Sequence, residues 1–145
     1  MASQTSLALD NQLCFSLYRA QRLVTRTYHQ LLQELHLTYP QYLVMLALWE
    51  EGGELGMKEL ATRLELDSGT LTPLIKRLIA LNLLQKERSA EDERRTILRL
   101  TEAGHSLHHR AEQVPEQLHA LCTGEGVNLP VLKSELDSLA RRLSS

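Results

Sequence analysis

Two short strand-like runs interrupt a chain that otherwise reads as helix. They are Leu83-Leu84-Gln85-Lys86-Glu87-Arg88 and Thr96-Ile97-Leu98-Arg99-Leu100, with a charged stretch at residues 89–95 between them. The pair reads as a hairpin with a solvated tip. A hairpin set among helices constrains the fold more than any one helix does. Composition agrees: of 145 residues 43% are hydrophobic and only 4% aromatic, which suits one compact, mainly α domain with a core of leucines and not a β-sandwich.

The helices carry their own punctuation. Leu9, Leu13, Leu17, Ala20, Val24, Tyr28, Leu31 and Leu35 step by threes and fours, one apolar stripe on a long first helix. So long a helix in so small a protein packs against a partner as well as its own core. Thr38 caps a second helix, with Pro40 in its first turn and Gln41 three residues on, and Gly52-Gly53 ends it. Met57 to Leu64 is a third helix, and Glu65-Leu66-Asp67 turns into a fourth over residues 68–81. Pro73 is comfortable only in a first turn, so that helix is expected to start nearer Thr70 or to bend; Asn82 is its left-handed stop. After the hairpin, Thr101 caps a helix expected to run to Cys122 with a kink at Pro115, and Leu129 to Leu143 is a last amphipathic helix.

Helix, helix, turn, helix and a two-stranded wing make a winged helix-turn-helix over residues 40–100 of a single domain, with long N- and C-terminal helices at 7–36 and 102–143. The polar N-terminal residues 1–6 are expected to fray. The charges fit a nucleic-acid reading. Net charge is −2, yet residues 76–99 hold seven basic residues (Lys76, Arg77, Lys86, Arg88, Arg94, Arg95, Arg99) against four acids. Ser68, Gly69, Thr70 and Thr72 are small and polar, as the start of a recognition helix must be to approach bases and phosphates. Lys76 and Arg77 follow as phosphate clamps, and Arg94 and Arg95 at the wing tip suit a minor groove. The bland alternative is a capped helix and a solvated hairpin.

Cys14 and Tyr18 are four residues apart, on one helical face. A phenol that donates a hydrogen bond to a thiolate stabilises the charged, nucleophilic form, so the pair suits an oxidant sensor; the alternative is a small buried hydrophobe. Two cysteines and no signal peptide indicate a cytoplasmic protein, and no apolar run approaches the roughly 20 residues of a membrane span. His105, His108 and His109 share a helix face, but nothing completes a ligand set, so no metal is expected.

The motifs resemble a known family. Asp92-Glu93-Arg94 in a wing after a helix-turn-helix is similar to the MarR family of dimeric regulators. Leu9-Asp10-Asn11-Gln12-Leu13-Cys14-Phe15, Leu37-Thr38-Tyr39-Pro40-Gln41-Tyr42 and Leu66-Asp67-Ser68-Gly69-Thr70-Leu71-Thr72-Pro73 resemble the organic hydroperoxide resistance repressors within it, over residues 9–115. The resemblance implies a homodimer whose terminal helices form the interface, double-stranded operator DNA as partner, organic hydroperoxides as inducers, and neither cofactor nor enzymatic turnover. It implies that Asp92 positions the wing and Arg94 reaches the minor groove, that Cys14 is the peroxide-sensing thiol, and that Tyr28 and Tyr39 bond to it across the subunit interface with Tyr18 nearby. Some relatives carry a resolving cysteine in the C-terminal region. Cys122 lies about two residues past that position, more than half a helical turn away. It stands either as a resolving thiol for Cys14 of the other subunit or as inert. The alternative within the family is a regulator that senses a small phenolic ligand, with Cys14 structural. A thiol peroxidase and an architectural DNA-binding protein are the readings from other classes.

Overall fold

The computed structural model describes residues 6–144; the expectation of a frayed start at residues 1–6 lies, but for Ser6, outside them. The chain forms two compact units, divided between Ala111 and Glu112.

The first unit opens with a 3-10 turn at Leu9–Asn11 and the long helix α1, Leu13–Leu32, which ends in a second 3-10 turn, Gln33–Leu35. The long first helix therefore starts four residues later than its apolar stripe suggests, because Gln12 is extended and its side chain bonds back to the carbonyls of Ser6 and Ala8. Helix α2, Tyr39–Glu50, is apolar nearly all round and is the centre of the unit: Gln41, Tyr42, Val44, Met45, Ala47 and Leu48 are buried. Thr38 and Gln41 form the expected capping box, and Gly52 and Gly53 end the helix with φ of +81° and +103°.

A strand absent from the sequence reading follows. β1, Glu54–Gly56, pairs with β3, Thr96–Leu100, which pairs with β2, Leu84–Arg88, giving a three-stranded antiparallel sheet in the order β1-β3-β2. The wing is thus anchored at its base by a third strand. Helix α3, Met57–Leu64, turns through Glu65, at φ 56°, into helix α4, Ser68–Ala80. Leu60, Leu71, Ile75, Leu78, Leu84, Leu98 and Leu100 are buried with the residues of α2. Asn82 stops α4 in the left-handed region, as expected.

Helix α5, Glu102–Ala111, is capped by Thr101, whose hydroxyl accepts from the Gly104 amide at 3.0 Å. The single kinked helix expected to Cys122 is instead two helices. Regular structure breaks at Glu112 and resumes as α6, Gln113–Cys122. Pro115 then sits in a first turn, where its missing N–H has no partner to lose. The second unit is completed by α7, Leu129–Leu143, capped by Asn128.

Candidate nucleic-acid interface and thiol site

Asp67 sets the start of α4. Its Oδ1 accepts from the Thr70 amide at 2.7 Å, and that hydrogen bond holds the carboxyl below the ordinary aspartate range. Ser68, Gly69 and Thr70 are exposed on the first turn, and Lys76 and Arg77 are exposed further along. Thr72 is half-buried and donates to the Ser68 carbonyl at 2.7 Å, so its hydroxyl is turned back on the helix. Pro73 neither delays nor ends α4. It withholds a donor from the Gly69 carbonyl, but Gly69 and Pro73 are both exposed, so that carbonyl is not buried without a partner.

The wing tip is organised by its own side chains. Asp92 Oδ1 accepts from the Arg94 amide at 3.0 Å and from Arg94 Nε at 3.3 Å. Ser89 Oγ accepts from the amides of Glu91 and Asp92, and Arg88 donates to the Glu93 carbonyl at 2.7 Å. Arg94 projects into solvent, 93% exposed. Arg95, about half exposed, is held instead: its Nη2 donates to Glu59 Oε1 on α3 at 2.7 Å. Sequence reasoning singled out neither Glu59 nor Ser89, and counted Arg88 only among the basic residues. An acid three residues into α3 was the available signal, but its partner lies 36 residues away.

The thiol residues fall into separate clusters. Cys14 is exposed in the first turn of α1. One turn on, Tyr18 is exposed, with the Arg22 guanidinium 5.3 Å from its ring centroid. Tyr28, near the other end of α1, packs on Tyr39 and Tyr42 at centroid distances of 4.7 and 5.8 Å. Burial pushes the Tyr39 hydroxyl up from its ordinary value, and burial followed by the neighbouring Tyr39 does the same for Tyr42, so both stay protonated donors at neutral pH. Cys14 and Tyr28 lie on one uninterrupted helix, close to four full turns and about 21 Å apart. They share a face, yet within one chain they do not meet. Cys122 is half-buried at the end of α6, and both thiols are free. Two histidines of α5 pack on neighbours: His108 lies edge-on to Trp49 at 5.4 Å, and His105 fills the space left by the missing side chain of Gly53.

A family model for the transcriptional regulators SarA/Rot matches residues 26–111. The organic hydroperoxide resistance transcriptional regulator of Bacillus subtilis is 44% identical over 137 residues, 94% of this chain and 92% of that protein. The chain belongs to the MarR/SarA family of transcriptional regulators. Its fold is the family's winged helix-turn-helix. The structure is similar to those of AbfR of Staphylococcus epidermidis. Against reduced AbfR bound to DNA the TM-score is 0.76 at 32% identity, covering 93% of this chain and 94% of that one. Against disulfide-formed AbfR it is 0.69 at 36% identity, covering 99% and 97%. Among the described residues no helix is long and apolar enough to cross a membrane.

Proposed function

We propose that this regulator is a redox-sensing repressor that binds operator DNA as a homodimer and releases it when organic hydroperoxides oxidise Cys14. The observation that carries the reading is the placement of Cys14, an exposed thiol on the same face of α1 as Tyr28 but about 21 Å from it. A second copy of α1 running antiparallel would bring its Tyr28, with Tyr39 alongside, up to Cys14. The phenols would then donate to the thiolate across the interface. Support comes from the Bacillus subtilis relative, named for organic hydroperoxide resistance, and from AbfR, solved both reduced on DNA and with a disulfide formed.

In this reading Ser68 and Thr70 start a recognition helix in the major groove, and Lys76 and Arg77 hold phosphates. Asp92 shapes the wing so that Arg94 reaches the minor groove. The Cys14 thiolate attacks the terminal oxygen of the hydroperoxide. The O–O bond breaks, the alkoxide takes up a proton and leaves as the alcohol, and sulfur, oxidised by two electrons, becomes a sulfenic acid. The partner's resolving thiol, assigned here to Cys122, attacks that sulfur as a thiolate; the S–S bond forms and hydroxide leaves, protonated to water. Closing the bridge shifts the two recognition helices out of register with half-sites about 34 Å apart. Cellular thiols reset the protein.

The test is binding to duplex DNA from the gene's own upstream region, followed by fluorescence anisotropy before and after one equivalent of cumene hydroperoxide, with dithiothreitol added last. Tight binding lost on oxidation and restored by the dithiol is the expected result. Tight binding indifferent to the oxidant would overturn the redox reading in favour of small-ligand sensing.

A further inference from the structure

The wing tip and α3 are joined through an ion pair that the DNA-contact scheme leaves unused. β1 stays paired with β3 only as far as Gly56 and Ile97, and the β2–β3 ladder ends at Arg88 and Thr96. Residues 89–95 overhang that end. Beneath the overhang are two cavities, of about 720 and 400 Å³, and both are lined by Gly56, Glu59 and Arg95. Between the cavities stands the Arg95–Glu59 pair, 2.7 Å from Nη2 to Oε1, each side chain about half exposed.

Gly56 leaves the room that the Glu59 carboxylate takes up in this pair. Its backbone, at φ −68° and ψ 150°, is one any residue adopts, so conformation does not call for glycine. A Cβ there would run into the Glu59 carboxylate and come to 3.0 Å from Arg95 Nη2. The missing side chain is the seat of the carboxylate. Arg95 is adjacent to Arg94, whose side chain is 93% exposed with its Nε on Asp92 Oδ1, and Arg95's own amide donates to the Asp92 carbonyl at 2.9 Å. Fixing Arg95 fixes the turn from which Arg94 projects.

We infer that Gly56, Glu59 and Arg95 form a latch that positions the wing on the helix-turn-helix, so that Arg95 acts on DNA through Arg94 and not by touching phosphate. The inference rests on the proposed DNA-binding role of the wing. The two roles for Arg95 predict opposite signs at Glu59. If Arg95 contacts phosphate, neutralising Glu59 frees its charge and tightens binding. If Arg95 is a latch, neutralising Glu59 lets the tip wander and weakens binding.

The experiment measures operator affinity of the full-length reduced protein over a salt series, using the same upstream duplex, for wild type, Glu59→Gln, Gly56→Ala, Arg95→Ala, Arg94→Ala and the double variant Glu59→Gln/Arg94→Ala. For the latch, Glu59→Gln, Gly56→Ala and Arg95→Ala each weaken binding about two- to fivefold, the range of an exposed ion pair. None of the three changes the slope of log affinity against log salt, whereas Arg94→Ala lowers it by about one. The readout that stability alone would not move is coupling: in the Arg94→Ala background, Glu59→Gln costs nothing further. Tighter or unchanged binding by Glu59→Gln, a slope lowered by Arg95→Ala, or full additivity in the double variant would overturn the latch. Failure of the DNA reading itself looks different: wild type would not bind the duplex, or Arg94→Ala would bind as well as wild type.

Discussion

Cys14 sits where solvent reaches it, and its own chain offers it one phenol within a turn, Tyr18, whose ring already faces Arg22. Cys14→Ser removes the nucleophile and leaves the helix unchanged, so the proposed sensor predicts wild-type operator affinity for the reduced variant and no release by hydroperoxide. Anisotropy before and after oxidant checks this, and release of the variant would place the sensor elsewhere. Asp67 gives a second prediction at this scale. The Thr70 amide holds its carboxyl below the unfolded value, so its contribution to stability is fully present above about pH 4 and is lost as pH falls through the lower, folded pKa. Asp67→Asn keeps an acceptor at the cap without the charge. Its urea midpoint is expected to fall less steeply than that of wild type as pH is lowered from 5, and parallel curves would deny Asp67 this role. The caps at Thr38 and Thr101 were legible in sequence because a cap bonds three residues ahead, whereas Asp67 was read only as part of a turn. Glu59 was not legible, because its partner is in the wing; nor was the joining of Tyr28 with Tyr39 and Tyr42, which depends on how α1 meets α2.

Several ends set locally were read correctly: the capping box at Thr38 and Gln41, the glycine stop after α2, Asn82 after α4 and Thr101 before α5; the start of α1 and the break at Glu112 were not. An element set by distant pairing was missed. Glu54-Leu55-Gly56 is too short to show alternation and becomes strand β1 only because β3 lies beside it, with Arg99 donating to Glu54 across the pair. Gly104 shows the same dependence in packing. A Cβ at Gly104 would collide with the backbone carbonyl of Leu83, just before β2, and the Gly104 carbonyl accepts from Trp49 Nε1 at 2.9 Å. Alanine in a helix interior ordinarily gains about 0.5–1 kcal/mol over glycine. Here the obstacle is backbone, which does not swing aside, and overpacking costs about 1–3 kcal/mol. Gly104→Ala is therefore expected to lower stability by about 1–2 kcal/mol net, seen as a lower urea midpoint at unchanged slope. A gain in stability would show that α5 shifts freely away from Leu83.

For the whole molecule the informative surface is apolar and uncovered. Leu9, Leu13, Leu23 and Val24 along the N-terminal segment are exposed, and so are Val131, Leu132, Leu136 and Leu143 on α7, a helix with no buried residue. Stripes of this kind on helices at both ends of the chain suit the proposed homodimer, since large apolar patches mark interaction surfaces. A dimer interface also decides what oxidation produces. If Cys122 resolves Cys14 within one chain, the oxidised product runs on a nonreducing gel as a monomer. If it resolves Cys14 of the other subunit, the product is a covalent dimer. The proposed mechanism predicts the second: one equivalent of cumene hydroperoxide gives a dimer band that dithiothreitol removes. Cys14→Ser and Cys122→Ser each abolish it, because the bridge needs one sulfur of each kind. The Cys122→Ser protein still forms a sulfenic acid at Cys14, so it is trapped by dimedone while remaining monomeric on the gel. A dimer band that survives Cys122→Ser would assign the bridge to two copies of Cys14. An oxidised wild type that is monomeric and refractory to dimedone would assign it to one chain, and in either case Cys122 of the partner would lose its role as the resolving thiol.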